Sequence, residues 1–161
     1  MSKNLIFRWI TLVLIILNMS VIFGFSAEQA SSSKDTSKKV TETLLELTIP
    51  HFKEKPEAEK NEMVKKADSI VRTLAHFSEY TLLGFLAFLH LSFYKLSKIK
   101  SASFAFAGCA LYAILDEIHQ IFVPGRSFQF IDILTDTSGC LLGILSLGML
   151  LYIVKKCKKG L

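Results

Sequence analysis

The sequence predicts an all-α polytopic membrane protein with four transmembrane helices, and three observations carry that prediction. Hydrophobic residues make up 51% of 161 residues and mean hydropathy is +0.42, more apolar than an ordinary soluble domain of this size. The apolar residues come in blocks, several of them long enough to cross a bilayer core about 30 Å thick. The lysines gather at the ends of those blocks rather than along an amphipathic basic face, so the net charge of +5 reads as membrane topology. A nucleic-acid partner is not expected. The length is that of one domain, residues 1–161, with membrane lipid as the expected surroundings.

The first block covers residues 5–25 and follows Lys3 and includes Arg8. Gly24-Phe25-Ser26 offers a small-x-small pattern of the kind a signal peptidase accepts. The run is longer than the 7–15 residues of a usual signal-peptide core, which favours an uncleaved span. Trp9 and Tyr152 suit the membrane interface, and Arg8 suits a position from which it snorkels to the aqueous side.

Residues 26–72 are polar and of mixed charge, beginning with a Ser-rich run at 30–33, and form an extramembrane segment. Its nine Lys and Arg are matched by nine Asp and Glu. Val40, Leu44, Leu45 and Leu47 predict a short amphipathic helix. Pro56, followed by Glu57 and Glu59, predicts a second helix start that runs into the next span.

That next span covers 73–93. His76, Glu79 and Tyr80 fall within about 100° of one another on its first turns. The connection 94–101 carries three lysines and no acid. The third span, 102–123, is apolar only to Leu115 and reaches spanning length by including Asp116 to Gln120. Pro124 is expected to end it, and Gly125 to accept the positive φ of the turn that holds Arg126. The fourth span covers 130–154 and precedes Lys155, Lys156, Lys158 and Lys159. Cys109 and Cys140 lie within spans and read as small buried hydrophobes. No spacing calls for a disulfide or zinc.

The bias of Lys and Arg places residues 1–4, the 94–101 connection and the residues after the fourth span in the cytoplasm. Residues 26–72 and the turn at Arg126 then face outward. The same topology brings His76, Glu79, Asp116 to Gln120, Asp132 and Asp136 to one depth at the outer surface. Asp116, Gln120 and His119 share a face of the third helix, and Glu117 diverges from it. On the fourth, Asp132 and Asp136 continue into Gly139 and Gly143, a small-xxx-small pattern. The expected bundle is tight near the cytoplasm and open or wet outside, with a cleft there.

The strings His76-Phe77-x-Glu79-Tyr80-x-x-Leu83-Gly84, Asp116-Glu117-Ile118-His119-Gln120-x-Phe122-Val123-Pro124-Gly125-Arg126-Ser127 and Asp132-x-x-x-Asp136-x-x-Gly139-x-x-x-Gly143 resemble the VanZ-like membrane proteins. Phe25-Ser26 resembles the start of that family's Phe-Ser-x-Gln segment, although Glu28 stands where Gln belongs and Gln29 follows it. The resemblance implies a cell-membrane protein associated with resistance to teicoplanin, a lipid-tailed glycopeptide.

Three readings of the polar residues remain open. A structural network is one, but interhelical hydrogen bonds in membranes average only about 0.6 kcal/mol, a small return for burying several acids. In the second, Asp116, Glu117, His119, His76, Glu79, Asp132 and Asp136 are catalytic candidates that act on a lipid-linked cell-wall precursor, with Arg126, Gln120, Tyr80 and Ser127 binding it. Within this reading, His76, Glu79, Asp116 and His119 form an alternative set of metal ligands. In the third, the cleft binds or shields the precursor or the acylated antibiotic without chemistry. Four short spans and no inverted repeat argue against a monomeric transporter. The sequence leaves cofactors and oligomeric state open.

Overall fold

A computed structural model describes residues 3–27 and 30–158. Glu28, Gln29 and Lys159, singled out from the sequence, lie outside the described residues. The described residues are all helical: α1 (Lys3–Ala27), α2 (Ala30–Thr48), α3 (Glu57–Ser92), α4 (Lys98–Gln120) and α5 (Phe130–Cys157), with a 3₁₀ turn at Phe52–Glu54. Four of these, α1, α3, α4 and α5, are long and apolar enough to cross a membrane. Between 22% and 33% of the apolar window of each is buried, so most of each span turns apolar side chains outward, as a lipid solvent requires.

α3 is the hub and packs against every other helix. At 36 residues it is about 54 Å long, nearly twice the bilayer core. Its first turns therefore stand clear of the membrane, where α2 packs against them. Thr41 of α2 and Val64 of α3 are buried in that hairpin, and Phe52 is buried at its tip. His51 turns the chain there with φ 58, a left-handed conformation that His tolerates better than most side chains. The amphipathic helix and the continuous second helix expected from the sequence are both present.

Helix boundaries depart from expectation at two places. The lysine-rich connection is shorter than 94–101, because Ser97 accepts a hydrogen bond from the Lys100 N–H (3.3 Å) and caps α4, which starts at Lys98. At the other end α4 stops at Gln120 rather than at Pro124. Ile121, Phe122 and Val123 then donate to the carbonyls of Ile118, His119 and Gln120, a tightening of the last turn that leads into Gly125 at φ 79.

The tightest helix contact is between α3 and α5. A Cβ on Gly139 would lie 2.5 Å from the Phe77 carbonyl oxygen, one on Gly143 would strike the Thr81 carbonyl, and one on Gly84 the Cys140 carbonyl. The small-residue stripe thus works as expected but not where expected. Phe77 and Thr81 flank Glu79 and Tyr80, so the close approach lies directly beneath the polar residues, at the acidic end of the bundle. Toward the basic end the helices pack through side chains instead, with Phe88, Ala105, Ile144 and Leu147 in a buried cluster.

Hydrogen bonds tie α1 to α3 and α4. α1 buries Thr11, Asn18, Ile22 and Ser26 along one stripe. Thr11 Oγ1 meets His90 Nδ1 at 2.8 Å, and the Tyr112 hydroxyl donates to the Met19 carbonyl at 2.7 Å. Arg8 donates twice to the Phe93 carbonyl at the end of α3 (2.6 and 3.2 Å) and lies 4.0 Å over the Tyr94 ring. Its charge at a helix C-terminus opposes the dipole favourably, a role beyond snorkelling.

Candidate functional site

The polar residues of α1, α3, α4 and α5 converge at the end of the bundle that carries the acids. The centre is Asp116, 3% exposed at the last turn of α4. Its Oδ2 accepts from Ser26 Oγ at 2.7 Å and from Gln120 Nε2 at 3.3 Å. Gln120 Oε1 accepts from Arg126 Nη1 at 3.4 Å, and Arg126 Nη2 donates to the Phe25 carbonyl at 2.9 Å. These bonds close a ring: Ser26, Asp116, Gln120, Arg126 and back to Phe25. It fastens the last turn of α1 to the end of α4 and the turn beyond it. Of the Phe-Ser-x-Gln resemblance, Phe25 and Ser26 are therefore tied into the site.

Around this ring the acids crowd. Asp116 is within electrostatic reach of His76, Glu79, Tyr80, Glu117 and Asp136. Asp136, Tyr80 and Gln120 are buried, and His76, Glu79 and Asp132 are partly buried. His76 Nδ1 lies 4.0 Å from Glu79 Oε2, within ion-pair range but beyond a hydrogen bond. Arg72, paired with Asp68 at 2.7 Å, acts on His76 and Asp132 from one turn above. In the sequence Arg72 figures only in the charge balance of the extramembrane segment.

Glu117 is a correction. Its helical angle points it away from the shared face, yet it is fully buried, and its Oε2 accepts the Gln129 N–H at 2.8 Å. Gln129 precedes α5 and has no side-chain cap of its own, so the Glu117 carboxylate receives one of the donors at that helix start. Helical angle alone misses this because the turn after α4 folds back over the residue.

The expected open cleft is also corrected. Asp116, Glu117, Gln120 and Asp136 are at most 5% exposed, because the ring and the 121–129 turn close over them. Ser127 lies exposed on that turn, away from the buried cluster. His119 is partly buried and turns to α1, stacking on Phe23 with ring centroids 4.5 Å apart. Among the described residues no three His, Cys, Asp or Glu side chains are placed to hold a metal ion. The four-ligand alternative is not assembled.

Several buried polar atoms have no partner: Asp116 Oδ1, Glu117 Oε1, Asp136 Oδ1, the Tyr80 hydroxyl and His119 Nε2. A buried donor or acceptor left unpaired costs about 1–3 kcal/mol, so such a concentration is unusual for a purely structural core. The cluster is rich in acceptors and poor in donors. It suits a guest with hydroxyl, amide or ammonium hydrogens.

The VanZ/LLP1 family model matches residues 11–157. The chain belongs to the VanZ/LLP1 family. The match takes in α3, α4 and α5 whole and α1 from Thr11 onward, and thus every residue of the ring and the acidic cluster. No curated protein and no solved structure matches the chain. The VanZ/LLP1 assignment and the four apolar helices together make this a membrane protein.

Proposed function

We propose that this VanZ/LLP1 protein serves in resistance to lipid-tailed glycopeptides of the teicoplanin type, by engaging the headgroup of a lipid-linked cell-wall precursor at the outer face of the cell membrane. The observation that carries the reading is the set of orphaned carboxylate acceptors at Asp116, Glu117 and Asp136, with the unpartnered Tyr80 hydroxyl beside them. Sugar hydroxyls, peptide N–H groups and an amine are the donors such a precursor brings. Arg126 suits its phosphate, being held beside Gln120 by the ring. The exposed Phe122, Phe128 and Phe130 on and beside the 121–129 turn suit the acyl region next to the headgroup. Entry requires that turn to lift from Asp116 and Glu117.

Once a hydroxyl or water lies against Asp116 or Asp136, the carboxylate is a general base for it. Retention without chemistry is the second reading, favoured by the closed state of the site, which suits holding or shielding a headgroup. Growth in a lipid-tailed glycopeptide tests the site: Asp116→Asn, His119→Ala and Asp132→Asn should each lower resistance at unchanged protein level. Full resistance in all three would discard the reading. Incubation of purified protein with lipid-linked precursors, followed by mass spectrometry, separates the two forms. A mass change lost in Asp116→Asn means chemistry, and co-purification of unaltered precursor means retention.

A further inference from the structure

The opposite end of the bundle has a binding feature of its own. A slot of about 550 Å³ opens between α4 and α5, lined by Phe88, Lys98, Ala102, Leu145, Gly148 and Met149 among others. That volume is within the range of ligand-sized clefts. Its walls are apolar but for Ser146, whose hydroxyl donates back to the Leu142 carbonyl at 2.8 Å, and Lys98, the first residue of α4. On α5, Leu145, Met149, Tyr152 and Lys156 follow one another at i, i+4, i+7 and i+11, a single helical stripe. The stripe leaves the slot wall at Met149, passes an interfacial Tyr and ends on a second cation about 10 Å further along the axis.

The charge at this end of the bundle is of one sign. Arg8, Lys95, Lys98, Lys100, Lys155 and Lys156 belong to this end, and among the described residues no acid does. The acids of α3, α4 and α5 fall at Glu57 to Glu79, at Asp116 and Glu117, and at Asp132 and Asp136, all toward the other end. A cation excess sets topology, but complete exclusion of acids beside an apolar slot adds a preference for an anionic occupant. The slot faces the bilayer, so the occupant arrives with a tail.

We propose that the α4–α5 slot binds one anionic phospholipid of the leaflet at the basic end, its acyl chain against Leu145, Gly148 and Met149 and its phosphate between Lys98 and Lys156. The site is separate from the acidic cluster and does not depend on the function proposed for it. Lys98 supplies the cation at the slot itself, and Lys156 supplies the second along the headgroup.

The test is native mass spectrometry of the detergent-purified full chain, titrated with phosphatidylglycerol or phosphatidylcholine of identical acyl chains. Wild type should retain phosphatidylglycerol preferentially. Lys98→Gln with Lys156→Gln should weaken that retention by roughly 25-fold, from the loss of two cations near a lipid phosphate. Leu145→Trp should weaken retention of both lipids by filling the slot. Lys100→Gln removes the same charge from the opposite face of α4 and should change nothing. Equal retention of the two lipids, or an equal loss in Lys100→Gln, would overturn the proposal. So would a dimer that disappears in Leu145→Trp, since a second copy would then be the occupant. All four side chains are at the surface or slot wall, and unchanged thermal melting of each variant confirms that folding is not the cause.

Discussion

Ser26 Oγ donates to Asp116 Oδ2 across 2.7 Å, with both side chains buried, and so joins the last turn of the first span to the last turn of the third. The other carboxylate oxygen, Oδ1, has no partner. Ser26→Ala therefore leaves Asp116 only the longer bond from Gln120. Removing a hydrogen bond to a buried acceptor costs about 1–3 kcal/mol, and the expected fall in melting temperature in detergent is roughly 2–12 °C. An unchanged melting curve would mean that the bond is replaced without cost, and the ring would lose its standing as a fastener.

Glu117 separates capping from chemistry. If its work is to accept the Gln129 N–H, Glu117→Gln keeps an acceptor and should stay within about 1 kcal/mol of wild type, while Glu117→Ala should cost about 1–3 kcal/mol. Resistance that survives Glu117→Gln would remove this residue from the catalytic candidates. Loss of resistance at wild-type stability would keep it there.

Much of this was legible in the chain. The four spans follow from apolar length, and the convergence of His76, Glu79, Asp116, Asp132 and Asp136 at one end follows from topology, since alternating spans put the start of one helix beside the end of the next. What escaped is what depends on loops folding back. The burial of Glu117 and the closure over Asp116 require the path of residues 121–129, which no periodicity encodes. One signal was present and unused: Arg8, Thr11, Asn18 and Ser26 punctuate an apolar helix at intervals that keep them on one stripe. Polar groups in a membrane helix face protein, so that stripe marks the packed side of α1.

Orientation is checked by labelling. Ser127 is exposed on the turn at the acidic end and Lys98 begins α4 at the basic end, which makes them better reporters than the partly buried Arg126. In a Cys157→Ser background, which removes the one exposed cysteine among the described residues, Ser127→Cys should react with a membrane-impermeant thiol reagent in intact cells. Lys98→Cys should react only after the membrane is opened. The reverse pattern would invert the topology and place the acidic cluster in the cytoplasm.

The glycines give the sharpest contrast in packing. A methyl group on Gly84 or Gly143 would strike backbone carbonyls of the facing helix, and backbone does not rotate aside as a side chain can. Gly84→Ala and Gly143→Ala should each cost about 1–3 kcal/mol through overpacking and push α3 and α5 apart. Gly24 and Gly108 have nothing within 4 Å of the position a methyl would take, so alanine there should be neutral or stabilising by up to about 1 kcal/mol through helix propensity. The consequence reaches the site, because the contact of Gly139 with Phe77 and of Gly143 with Thr81 sets the separation of Glu79 and Tyr80 from Asp136. Gly143→Ala should therefore lower both melting temperature and resistance, while Gly108→Ala lowers neither. If Gly143→Ala melts like wild type, the close approach of α3 to α5 is not what holds the acidic cluster together.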